Sequence, residues 1–179
     1  MFNQVQVSDM TALKSLLTEA RSALRTKHKE FTYPSELRSH TCSLDTWKQN
    51  YKKIDLLNKD ILDEISQRAG VYAVFSQSKQ KPNLEVMYIG QTTGNGSRQR
   101  VRSHLVWRNK ETKSGKSTGS KFDELRALVA KGCDIYISFV EINPASLRHY
   151  VEDELIQKIQ PKWNHNGTTL AGQCRVSRM

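Results

Sequence analysis

Two tyrosines sit beside glycines in adjacent β-like runs, Gly70-Val71-Tyr72 and Tyr88-Ile89-Gly90. Downstream, Arg100 and His104 stand four residues apart, the spacing of neighbours on one helical face. Further on, Glu152 opens Glu152-Asp153-Glu154 beside an apolar stripe of Leu147, Val151, Leu155 and Ile159. Phenol and imidazole groups can move protons, a guanidinium grips anions, and a carboxylate can hold a hard cation. Taken singly, each residue has an ordinary structural reading. Amphipathic tyrosines pack at sheet edges, and a glutamate on a helix is usually solvated.

The elements that would position these residues are readable from pattern. Gly70 to Phe75 and Leu84 to Gly90 are rich in β-branched and aromatic residues, and the polar stretch from Ser76 to Asn83 holds Lys79, Lys81 and Pro82. This predicts an antiparallel hairpin with a polar loop. Alternation puts Tyr72 and Val74 on one face and Val71, Ala73 and Phe75 on the other. A glycine-containing turn, Gln91 to Ser97, leads into a helical stretch through Trp107, with Arg98, Arg102 and Leu105 near one face and Arg100 and His104 on another. Arg108 to Lys121 is a hydrophilic connection carrying Lys110, Lys113, Lys116 and Lys121, and it reads as a mobile loop. A short helix from Phe122 to Lys131 is expected to stop at Gly132, which can supply a left-handed cap.

Ile135 to Val140 is the strongest strand in the chain by β-propensity and is expected in the centre of the sheet, beside the hairpin. Asn143 and Pro144 read as the cap and first residue of the helix that carries Glu152, and Pro161 as its end. Asp153 and Glu154 project about 100° and 200° round that helix from Glu152, so they do not converge with it.

Ahead of the hairpin, Met10, Leu13, Leu16, Leu17, Ala20 and Leu24 hold helical spacing, with Ser8 or Asp9 to cap the start and Lys27, His28 and Lys29 at the end. Phe31 to Cys42 reads as irregular around Pro34. From Ser43 onward, Leu44, Trp47, Tyr51, Ile54, Leu57, Ile61 and Ile65 describe either one long helix or two short ones. These segments either support the rest of the chain or add to the surface that it uses to bind.

The chain has 179 residues, with 28 Lys+Arg against 18 Asp+Glu for a net charge of +10, which points to an anionic partner. No apolar run is long enough to span a bilayer, and the N-terminus lacks a signal-peptide pattern, so a soluble cytoplasmic protein is expected. Cys42, Cys133 and Cys174 are odd in number and lack metal-ligand spacing, which indicates neither a disulfide framework nor a zinc site.

Gly70-Val71-Tyr72 and Tyr88-Ile89-Gly90 resemble the paired signatures of the GIY-YIG nuclease superfamily, with Val71 where isoleucine is commoner. Arg100, His104, Glu152 and Asn164 of Pro161-Lys162-Trp163-Asn164 follow in that family's order, and the resemblance spans Gly70 to Asn164. It implies an α+β fold, a small antiparallel or mixed sheet flanked by helices. The domain division would be 1–69 as an N-terminal helical extension, 70–166 as the nuclease core and 167–179 as a basic tail.

The resemblance also implies a phosphodiester hydrolase, most like the small stand-alone type II restriction endonucleases. Tyr72, or else Tyr88, would activate water, and Arg100 would grip the scissile phosphate. His104 would orient or accept a proton, and Glu152 would hold Mg²⁺ (or Mn²⁺). Asn164 would pin the helix end to the hairpin. Arg98, Arg102, Arg108, Lys110, Lys113 and Lys116 are the expected contacts to double-stranded DNA, bound by a homodimer. Structure-specific, homing or repair nucleases of the family, or a non-catalytic nucleic-acid-binding relative, are the alternatives.

Overall fold

A computed structural model describes residues 10–108 and 121–164. The elements run α1 (Thr11–Thr26), β1 (Lys29–Phe31), a 3-10 turn (Ser35–Leu37), α2 (Leu44–Leu57), α3 (Lys59–Ile65), β2 (Gly70–Ser78) and β3 (Lys81–Thr92). Then come α4 (Ser97–Leu105), α5 (Phe122–Ala130), β4 (Asp134–Glu141), a second 3-10 turn (Ala145–Leu147) and α6 (Arg148–Ile159). The protein is α+β: one four-stranded antiparallel sheet, ordered β1-β4-β2-β3, flanked by helices.

The expected central strand is β4, which lies between β1 and the hairpin. The hairpin itself is longer than its side chains suggest. Strand pairing continues through the predicted loop to Ser78 opposite Lys81, with register shifts between Val74 and Phe75 and between Ser76 and Ser78. Backbone pairing does not require apolar side chains where a hairpin tip meets water on both faces. Pro82 is tolerated because β3 is an edge strand.

The alternation predicted for β2 divides two cores. Val71, Ala73 and Phe75 pack with Ile89 against Leu17, Ala20 and Leu24 of α1 and Val151, Leu155 and Ile156 of α6. Tyr72 and Val74 face the other way, into a core with Phe31, Trp47, Ile54, Leu62, Val101, Leu105, Phe122 and Leu125. The sheet is thus the middle of three layers.

Residues 1–69 were expected to form a helical extension, yet they include β1, where Lys29 pairs with Ile137 and Phe31 with Ile135. Lys29, expected at a helix end, is therefore in a strand. Ser8 and Asp9 lie outside the described residues; α1 begins after Met10, which makes no side-chain cap bond.

The region after Ser43 resolves into two helices. The Ser43 hydroxyl accepts the Thr46 N–H at 3.1 Å to start α2. Asn58, 2% exposed, separates α2 from α3 and exchanges hydrogen bonds with the Thr32 backbone. Gly132, at φ 76°, closes α5: its N–H bonds the Val129 carbonyl while the Cys133 N–H bonds that of Leu128, a Schellman pattern. Pro144 does not open α6, because it is extended (ψ 147°) and a 3-10 turn intervenes before Arg148. No helix among the described residues is long and apolar enough to cross a membrane.

Candidate active site

The hairpin register brings the two tyrosines together. Tyr72 pairs with Gly90 and Val74 with Tyr88, so both phenol rings stand on one sheet face with centroids 6.0 Å apart. Gly90 is what allows this. A Cβ there would come within 2.7 Å of the Tyr72 hydroxyl and 2.8 Å of the Tyr88 ring. Gly70 answers a different demand, since its Cβ would lie 2.1 Å from the Val140 carbonyl oxygen on the neighbouring strand. Tyr72 is fully buried; its hydroxyl makes no hydrogen bond of full geometry, but it faces the Arg100 guanidinium and the Tyr88 hydroxyl, which both interact with it. Burial pushes both phenols up, Tyr72 well above the usual range, while Arg100 pulls each back down.

His104 is on the last turn of α4 and 2% exposed, with its ring 5.1 Å from Tyr88 and 6.1 Å from Tyr72. Its Nδ1 accepts the Lys121 N–H at 3.0 Å, which leaves the ring proton on Nε2. Burial first, then the charges of Arg100 and Lys121, lower its pKa to about 3. It is neutral at any ordinary pH and too weak a base to keep a proton there, so the arrangement fits the orienting role.

Four residues earlier on α4, Arg100 is exposed along its stem, makes no ion pair among the described residues, and turns its guanidinium toward the Tyr72 hydroxyl. It lies within electrostatic reach of Tyr72, Tyr88 and Glu152.

The free edge of β3 aligns the remaining groups. The Met87 carbonyl accepts from the Trp163 N–H at 2.8 Å. Two residues on, Ile89 donates to Asn164 Oδ1 at 2.9 Å and accepts from Asn164 Nδ2 at 2.8 Å. Asn164 therefore ties the segment after α6 to the hairpin, as expected. Two residues further, the Gln91 N–H is directed to Glu152.

Glu152 is half-buried, and its pKa rises to about 7, chiefly from burial and then from Asp153, against the pull of Arg100, the Gln91 N–H and Arg148. Asp153 is exposed and Glu154 pairs with Lys158 at 3.5 Å, so neither joins it. Among the described residues no cluster of three metal-binding side chains occurs. A single desolvated carboxylate with no ion-pair partner suits a hard cation that keeps waters and takes the rest of its oxygens from substrate.

The expected DNA contacts divide differently. Arg98 bonds Asp63 at 3.3 Å, Arg102 bonds Asp55 at 2.7 Å, and Arg108 bonds Asp123 at 3.3 Å. The first two fasten α4 to α2 and to α3. Lys110, Lys113 and Lys116 lie outside the described residues. One residue escaped the sequence reading. Arg148 stands one turn before Glu152, and its Nε donates to Gln91 Oε1 at 2.9 Å. The four-residue spacing that paired Arg100 with His104 also pairs Arg148 with Glu152, and it was the available signal. Comparison with family models, curated proteins and solved structures returns no match.

Proposed function

We propose that this chain is a metal-dependent DNA endonuclease of GIY-YIG type, cutting duplex DNA at a specific sequence as a restriction enzyme. One observation carries the reading: Tyr72 of β2 and Tyr88 of β3 stand with ring centroids 6.0 Å apart on one sheet face, and Arg100 of α4 and Glu152 of α6 lie within electrostatic reach of both. A structural tyrosine pair requires neither an unpaired arginine nor a desolvated carboxylate beside it.

Hydrolysis of a phosphodiester joins a water oxygen to phosphorus, breaks the bond to the leaving oxygen, and moves a proton from one to the other. Arg100 presents its permanently charged fork to the non-bridging oxygens. Once bound substrate opens the site, the Tyr72 hydroxyl, which is closed to solvent in the free chain, receives a hydrogen bond from the attacking water and passes a proton on toward the leaving oxygen. This requires its raised pKa to fall, and the nearby Arg100 acts in that direction. Neutral His104 holds the Tyr88 ring in place. Glu152 is the residue that would hold Mg²⁺ or Mn²⁺, and such an ion neutralises charge at the phosphate when bound. Two chains related by a two-fold axis are the simplest assembly for cutting both strands of a palindrome.

Supercoiled plasmid incubated with Mg²⁺ tests this directly. The wild-type chain is expected to give discrete fragments, and Glu152→Gln to cut at least ~10³-fold more slowly while still binding DNA. Equal cutting by the two overturns the site. Nicking or smearing transfers the chain to the structure-specific branch, and binding without any cutting makes it a non-catalytic relative.

A further inference from the structure

Helix α1 carries its cations in one line. Lys14, Thr18, Arg21 and Arg25 recur at four, three and four residues, which keeps all of them within about 60° of helical arc. All are exposed, while Leu17, Ala20 and Leu24 take the buried face. The line borders a groove between α1 and α6 that Leu17, Leu155 and Lys158 also line. The single acid of α1, Glu19, lies about 140° round the helix from Lys14 and accepts from Ser15 instead.

Several surface cations are matched by a carboxylate: Arg38 by Asp134, Lys53 by Glu36, Arg102 by Asp55 and Lys162 by Glu85. Lys48, Lys52 and Arg68 stand elsewhere without one among the described residues. Lys14, Arg21 and Arg25 have no such match among the described residues. Like charges four apart on a helix repel, and nothing within the described molecule offsets Arg21 against Arg25. An anion laid along this face would offset them.

The spacing suits a particular kind of anion. Lys14 to Arg25 spans about 16 Å of helix axis, and one strand of duplex carries a charge about every 3.4 Å of its own axis, so the line matches roughly four to five phosphates. α1 packs beside α6 on one face of the sheet, and α6 carries Glu152. Lys158 of α6 joins Lys14 and Arg21 in lining the groove between the two helices, so a long polyanion held on α1 runs alongside the helix that bears the candidate carboxylate.

We propose that the line Lys14, Arg21 and Arg25 is a second nucleic-acid contact, gripping the phosphate backbone of double-stranded DNA that flanks the site of cleavage. The identity of the polyanion rests on the nuclease reading; the surface does not. A basic stripe of this kind adds affinity without reading bases.

The test is the full-length triple variant K14Q/R21Q/R25Q, with binding to a long duplex and to a short one covering only the cut site measured across a salt series. For the long duplex the slope of log affinity against log salt is expected to become shallower by up to about 2.7, that is, about 0.9 for each lost contact. Affinity should fall roughly tenfold or more at moderate salt, with short-duplex binding unchanged. The single variant R21Q should take away about one third of the slope change, and R21K/R25K should keep the wild-type slope. The melting temperature of the triple variant should not fall, since all three side chains are exposed.

An unchanged slope overturns the proposal and leaves the nuclease reading intact. A slope that depends on α1 in a chain that never cuts keeps the proposal and removes the nuclease reading. A wild-type chain that binds no duplex removes both. Loss of binding to anionic vesicles, with duplex binding unaltered, assigns the line to a lipid surface and overturns it.

Discussion

Glu152 is costly to keep ionised where it stands. Its ordinary pKa of 4.5 is pushed up to about 7 by burial, with Asp153 adding to the shift. Between those two values the folded chain binds a proton that the unfolded chain releases, so stability falls as pH rises through the window and stays lower above it. The gap corresponds to at most roughly 3 kcal/mol, and solvent around the part-exposed carboxyl reduces this to about 1–2 kcal/mol. Glu152→Gln, melted without divalent ions, should therefore gain stability at pH 8 and gain almost nothing below pH 4.5. A chain of this size shifts about 2–4 °C per kcal/mol. Equal gains at both pH values would show that ionisation is not the source. His104 acts in the opposite sense: the unfolded chain takes up a proton from 6.5 downward that the folded ring refuses until about 3, so acid destabilises. Both chains in the comparison share that effect, and it cancels. Gly90 belongs to the same scale, because a side chain there would come within 2.7 Å of the buried Tyr72 hydroxyl and displace it.

Two buried asparagines do similar work between elements. Asn58 joins the end of α2 to the Thr32 backbone, and Asn164 joins the segment after α6 to Ile89 on the free edge of β3. Asn164→Ala leaves a buried N–H and a buried carbonyl of one strand residue unmatched, and should cost roughly 2–3 kcal/mol. Hydrogen exchange at the Ile89 amide should quicken beyond the global change, because its bond to Asn164 Oδ1 is lost. An Ile89 amide as protected as in wild type would mean that the bond contributes nothing.

Sequence pattern made much of this scale legible. Period-two alternation separated Tyr72 from Val71, Ser43 and Gly132 announced helix ends, and Ile135 to Val140 marked the central strand. It missed what depends on distant pairing. Lys29-Glu30-Phe31 has no strand signature of its own and is extended because β4 lies beside it. Gln77 to Pro82 has polar side chains, yet the ladder continues from better strand formers behind it. The ion pairs that occupy Arg98 and Arg102 were equally invisible, since Asp55 and Asp63 come from helices more than thirty residues earlier.

At the scale of the whole molecule, residues 10–69 cover both faces of the sheet. Leu17 and Leu24 of α1 lie on the α6 side. Phe31, Leu37, Trp47, Ile54, Leu62 and Ile65 fill the side that holds the tyrosines. β1 also covers part of the outer edge of β4. Fully burying one such side chain contributes about 1.5–3 kcal/mol, so these eight together contribute on the order of 12–24 kcal/mol. Net stabilities of domains are only about 5–15 kcal/mol. Residues 70–166, which bear the candidate site, are thus not expected to stand alone. A chain starting at Gly70 should lack a cooperative urea transition and should expose the apolar surface around Tyr72 and Val74, with dye binding and dispersion-poor NMR spectra as the signs. Supplying residues 1–69 as a separate polypeptide should restore a cooperative transition if the two parts meet as they do in the intact chain. Should the truncated chain instead unfold cooperatively with an m-value proportionate to its length, the motif-bearing segment would be autonomous and the N-terminal elements a true extension.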